Sequence, residues 1–117
     1  MESFALVRPE HLNHFGYLFG GQMLLWVDEF AWTAATREFP GNILVTRAMS
    51  DVEFKRQVPS GSILRFLVSL DHKGKSSLRY RVEVHAQAPD ESEEILVFNT
   101  AVVFVAVDKN GTKTEVA

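Results

Sequence analysis

The chain has 117 residues, 46% of them hydrophobic and 23% charged, with a formal net charge of −3. Its length and composition are those of one ordinary globular domain. No apolar run approaches the roughly 18 residues of a membrane span, and Met1-Glu2-Ser3-Phe4 has neither the basic start nor the apolar stretch of a secretory signal. The absence of cysteine excludes disulfides, thiolate catalysis and cysteine metal sites, and points to a cytoplasmic location.

In chain order, residues 4–8 read as a short strand, and residues 9–19, with Pro9, Asn13 and Gly16, as a loop. A helix is expected from Gly20-Gly21 to about Phe39, where Pro40-Gly41 stops it. Residues 43–49 and 51–57 form one long or broken strand, ended by Pro59-Ser60-Gly61, and residues 62–71 form the next. His72-Lys73-Gly74-Lys75 is a turn. From 77 to 87 the alternation is clean, with Leu78, Tyr80, Val82, Val84 and Ala86 on one face and Arg79, Arg81, Glu83, His85 and Gln87 on the other. An acidic loop, 88–94, leads to a long strand over 95–107, apolar enough for burial on both faces over part of its length. Asp108-Lys109-Asn110-Gly111 is the closing turn. One long helix followed by long antiparallel strands is an α+β pattern. The economical arrangement is a curved sheet around the helix, and a bare edge strand predicts a dimer with a continuous sheet.

Charge is unevenly spread. Lys55, Arg56, Arg65, Lys73, Lys75, Arg79 and Arg81 face only Asp71 between residues 55 and 81. A basic segment on an acidic chain suggests an anionic ligand rather than nucleic acid, and its plain alternative is a solvated sheet face.

On a helical wheel Asp28 interrupts an apolar stripe of Gly21, Leu24, Leu25, Ala31, Trp32 and Ala35, whereas Glu29 lies on a polar arc with Gln22, Thr33, Thr36 and Arg37. A carboxylate in the stripe carries a desolvation cost unless it is paired. It is either functional or hydrogen-bonded to the next strand or a partner chain. Met23, Val27, Phe30 and Ala34 form a second apolar arc, surplus to one sheet and expected to meet a second copy. Gly20-Gly21 opens the helix, where free amides and the dipole favour negative charge and glycines admit close approach; simple close packing is the alternative. No Gly-x-Ser-x-Gly, P-loop or dinucleotide fingerprint is present. His11 and His14 lack an evident third ligand, so no metal site is expected.

The run from Asn13 to Glu29, with Gly16, Gly20, Gly21 and an acid seven residues after the second glycine, resembles the signature of hotdog-fold acyl-CoA thioesterases, in particular the YciA and cytosolic acyl-CoA hydrolase group. Phe54, Pro59 and Gly61, the Gly74-Lys75-Ser76-Ser77 turn with the strand after it, and residues 100–108 continue the resemblance over almost the whole chain. It implies a single hotdog domain, a long central helix wrapped by a curved antiparallel sheet, that hydrolyses acyl-CoA to a carboxylic acid and coenzyme A. Asp28 matches the catalytic acid, Asn13 the loop asparagine, and Gly20 and Gly21 the backbone donors to the thioester carbonyl. Phe54, Lys73, Gly74, Lys75, Ser76 and Ser77 are the expected substrate contacts. Coenzyme A belongs to substrate and product, so no cofactor and no metal are implied. The implied assembly is a homodimer at minimum, extending to a tetramer or hexamer, with active sites between subunits. A non-catalytic acyl-CoA binding or sensing module on the same fold is the alternative.

Overall fold

The computed structural model describes all 117 residues. Five strands, β1 (Glu2–Leu6), β2 (Ile43–Phe54), β3 (Ile63–Lys73), β4 (Ser77–Gln87) and β5 (Ile95–Val107), form one antiparallel sheet in the spatial order β1-β3-β4-β5-β2. One helix, α1 (Gly20–Glu38), lies between β1 and β2 in sequence, preceded by a single 3-10 turn at Pro9–His11. The α+β expectation holds, and β4 shows the predicted alternation, with Leu78, Tyr80, Val82, Val84 and Ala86 buried. β1 begins earlier than expected because its register, from Glu2 opposite Leu67 to Leu6 opposite Ile63, sets its limits. His72 and Lys73 still pair within β3, so the following turn is shorter than the sequence suggests.

β2 is continuous but irregular. Against β5 it carries an extra residue at Arg47 and one more where Asp51 and Val52 together oppose the single residue Thr100. Asp51 has φ 55, a left-handed conformation that non-glycine residues seldom adopt. These bulges decide what faces the helix. Leu44, Thr46, Met49 and Phe54 stand opposite Ala106, Phe104, Val102 and Phe98 of β5, all four of them core residues. On the outer face, Arg79 of β4 donates to Asp71 of β3 at 3.0 Å and reaches over β5 to Ser50 at 3.0 Å and Asp51 at 3.3 Å.

The helix ends at Phe39-Pro40-Gly41, where Gly41 takes φ 85 and Asn42 Nδ2 donates to the Phe39 carbonyl at 2.9 Å. Contacts run from α1 to β2, β3, β4 and β5. β2 and β3 are three strand spacings apart, about 14 Å, wider than the ~10–12 Å of a helix, so the sheet must curve around it. Phe66, Tyr80, Phe98 and Phe104 floor the core, and the buried Tyr80 hydroxyl donates to Glu38 at 2.6 Å. Burial, followed by that hydrogen bond, pushes the Tyr80 hydroxyl well above its usual range.

The two apolar arcs of α1 do not divide as expected, and the Asp28 arc is itself split, with Ala31 and Ala35 in the core. Met23, Val27 and Ala34, expected to be surplus, fill the core, with Phe30 packed against it. The arc around Asp28 carries Leu25 at 57% and Trp32 at 44% exposure. The Trp32 indole N–H donates to the Leu44 carbonyl at 3.1 Å. That bond draws this side of the helix to the β2 edge and turns the Met23–Val27 side onto the sheet. The apolar surface that α1 leaves exposed is therefore on the side bearing Asp28.

Candidate active site

Asp28 is half-buried where α1 passes β2, and the Thr46 hydroxyl donates to its Oδ1 at 2.6 Å. Thr46 faces the helix because it alternates with buried Leu44 and pairs with Phe104. The carboxylate thus has one oxygen fixed and the other without a protein donor. Glu29, its neighbour in sequence, is exposed. Thr46 was not among the residues singled out from the sequence. Its signal is a hydroxyl on the helix-facing side of an otherwise apolar strand, which becomes meaningful only once β2 is known to pass Asp28.

At the start of α1, the amides of Gly20 and Gly21 donate to no protein acceptor, and Phe19, at the N-cap, makes no side-chain cap. A methyl group added at Gly21 would lie 2.6 Å from the Phe19 ring, and one at Gly20 would lie 3.4 Å from the Phe54 ring. The Phe19 ring therefore packs where a side chain at Gly21 would displace it, Phe54 comes within ordinary contact of Gly20, and the amides of both glycines are free as first-turn groups. Phe54 packs edge-on against Phe98 and is 54% exposed. The amides stand about 10–12 Å along the helix axis from Asp28. That is too far for both to touch one carbonyl carbon within a single chain.

Asn13 spends its side-chain oxygen on its own loop, accepting from the amides of Phe15 at 2.9 Å and Tyr17 at 3.2 Å. Its carboxamide N–H groups remain available, and it makes no hydrogen bond to Asp28 of the same chain. The turn after β3 is held by its backbone: Gly74 N–H donates to the Ser77 carbonyl at 2.8 Å, and the Lys75 and Ser76 carbonyls accept from Val116 and Ala106. Gly74 also admits the Ser77 hydroxyl, which would lie 2.7 Å from an added methyl.

The basic segment is mostly neutralised inside the chain. Arg65 grips Glu94 through Nε and Nη2 at 2.7–3.1 Å, which raises the arginine and holds the Glu94 carboxyl below the usual carboxylate range. Arg79 and Arg81 share Asp71, and Lys55 meets Glu53. Arg56, Lys73 and Lys75 take part in no ion pair, which narrows the expected anion-binding stretch to these three. No group of three or more His, Asp or Glu side chains is placed to hold a metal, and no helix is long and apolar enough to cross a membrane.

Residues 15–93, the stretch that contains α1, Asp28 and Thr46, match the thioesterase superfamily. The chain belongs to that superfamily. A member of known structure, Cj0915 of Campylobacter jejuni, described as a hexameric hotdog-fold thioesterase, superposes with a TM-score of 0.88 at 30% identity over 98% of this chain and 88% of that one. The fold is accordingly the hotdog fold. An acyl-CoA hydrolase of Staphylococcus aureus, solved with butyryl coenzyme A, coenzyme A and coenzyme A disulfide, has a TM-score of 0.88 at 26% identity and covers 99% of this chain and 70% of its own. Variants of that hydrolase with an asparagine, an aspartate or a threonine replaced by alanine have also been solved. Its asparagine and aspartate stand at the same separation in sequence as Asn13 and Asp28, and its threonine follows the aspartate by one residue fewer than Thr46 follows Asp28. Among curated sequences, VdlD of Helicobacter pylori is 28% identical over 109 residues, 93% of this chain and 62% of that protein. The chain thus spans about three fifths of the length of that relative.

Proposed function

We propose that the protein hydrolyses acyl-CoA thioesters to a carboxylic acid and coenzyme A. The observation that carries this reading is a half-buried carboxylate, Asp28, oriented by Thr46 at 2.6 Å on a helix whose first amides are unspent. The Gly20 and Gly21 amides polarise the thioester carbonyl and hold the oxyanion that forms when oxygen adds to its carbon. Asp28 takes the proton of the attacking water, or adds to the carbon itself and is released by water. The C–S bond then breaks, and the thiolate leaves with the proton. No cofactor enters this balance. A non-catalytic acyl-CoA sensor gains nothing from a carboxylate set in this position.

The distance along α1 supports a site shared by two chains: Gly20, Gly21 and the Asn13 carboxamide from one, Asp28 and Thr46 from the other. Leu25 and Trp32 flank Asp28 on the exposed arc that such a pairing covers. The dimer is the smallest complete unit in this proposal. The hexameric C. jejuni neighbour supports a larger assembly built from it. Phe54 lines the acyl end, and Lys73 and Lys75, with the Gly74-Ser76-Ser77 turn, meet the phosphates of coenzyme A. The cysteine-free sequence is compatible with a reducing compartment, and the proposal places the enzyme in the cytoplasm, in lipid metabolism.

The test is Asp28→Asn, which keeps the shape and the Thr46 bond and removes the base. Thiol release from a panel of acyl-CoAs should fall by about 100-fold or more, while the fold and acyl-CoA binding persist. Turnover near the unsubstituted level would sink the assignment, and a larger loss in Glu29→Gln would shift it to the neighbouring residue.

A further inference from the structure

A cavity of about 320 Å³ opens at the end of the sheet far from Asp28, between the segment after β2 and the acidic loop joining β4 to β5. Val58, Ala86 and Val97 give it an apolar wall, and all three are buried. Ser62 also lines it. That side chain is fully buried, and its hydroxyl has no protein partner. Buried hydroxyls are nearly always hydrogen-bonded, so an unpaired one facing a cavity is a polar contact in search of a ligand.

The charges around the same cavity are also unpaired. Arg56 lines it, as do Glu91 and Glu93, yet the guanidinium forms no ion pair with either carboxylate. Arg65 pairs with Glu94 and Arg79 with Asp71, whereas Arg56, although it shares this cavity with two carboxylates, pairs with neither. Here one cation and two anions line the same apolar-walled pocket without pairing. A simple carboxylate would satisfy Arg56 but meet Glu91 and Glu93 unfavourably. A simple amine would do the reverse.

We propose that this cavity binds a small zwitterion with an aliphatic side chain, the chemistry of an apolar α-amino acid. Its carboxylate meets Arg56, its ammonium meets Glu91 or Glu93, its alkyl group packs on Val58, Ala86 and Val97, and Ser62 supplies a hydrogen bond. The cavity volume lies at the low end of the range for small-molecule pockets. Of these residues only Arg56 is also free to meet an anion of coenzyme A, so competition between leucine and coenzyme A separates this cavity from the substrate groove.

Calorimetric titration of the whole chain with L-leucine, isocaproate and isoamylamine tests it. Leucine should bind saturably, with both singly charged analogues weaker by about tenfold or more, since each loses a charge-assisted hydrogen bond. Arg56→Gln, a change at an exposed position, should weaken leucine about as much, and Ser62→Leu should fill the pocket and abolish binding in a chain shown to be folded by circular dichroism. Four outcomes would overturn the proposal: no leucine binding, isocaproate or isoamylamine binding as tightly as leucine, Arg56→Gln binding unchanged, or displacement of leucine by coenzyme A, which would make the cavity part of the substrate groove.

Discussion

Thr46 donates its only hydroxyl hydrogen to Asp28, so one carboxylate oxygen is pinned and the other, in the proposed hydrolysis, is free for a water or the thioester carbon. A base held in this way loses little orientational freedom when it reacts, and displacements near 1 Å cost up to about a hundredfold in rate. Thr46→Val, which keeps the β-branched shape and deletes the donor, should lower kcat by roughly tenfold to a hundredfold with little change in KM. Thr46→Ser should restore most of the rate. A KM effect without a kcat effect would make Thr46 a substrate contact instead. Asp28 was legible in the sequence because a carboxylate in an apolar stripe is conspicuous on a wheel. Thr46 was not, because its role depends on a contact between elements 18 residues apart that no local pattern encodes.

Among the elements, the strands were the most legible. Burial in β4 follows the period of two without exception, and the Pro40-Gly41 stop of α1 falls where the sequence put it. The wheel was less informative. It finds both apolar arcs of α1, but not how packing divides them: Ala31 and Ala35 of the Asp28 arc join Met23 and Val27 in the core, while Leu25 and Trp32 stay exposed. Charge counting overstates the free basic charge for a similar reason, since it cannot see that Arg65 and Arg79 are spent on Glu94 and Asp71. The turn after β3 keeps two unpaired lysines, Lys73 and Lys75, on a backbone fixed by hydrogen bonds from Val116 and Ala106. Lys75→Ala should raise KM for acyl-CoA and flatten its salt dependence while leaving kcat nearly unchanged, because a distant phosphate contact binds ground and transition states alike. The same variant assayed with acyl-pantetheine, which lacks the nucleotide phosphates, should behave as the unsubstituted chain does. Equal effects on both substrates would remove the phosphates as its target.

As a whole the molecule is more extended than its length requires. Its radius of gyration is 15.4 Å, against about 13 Å for a compact chain of this size. β2 is a sheet edge of 12 residues carrying exposed Ile43 and Val45, beside the exposed Leu25 and Trp32 of the helix. A long bare edge next to apolar surface is what a second copy would cover. Mixing Asn13→Ala and Asp28→Asn chains under conditions that exchange subunits should restore about a quarter of the sites, by random pairing in two-site dimers. Proven heterodimers without recovered activity would place both residues in one chain's site. Arg79 adds a consequence for the working protein. The sheet is bent by two opposed constraints, an apolar helix on the inside and one guanidinium tying β2 to β3 on the outside. Concentrated salt screens the outer tie and, for ions excluded from protein surfaces, tightens the inner packing. The curvature of the sheet is then expected to respond to ionic composition, and turnover of an uncharged thioester in chloride and in sulfate would register it.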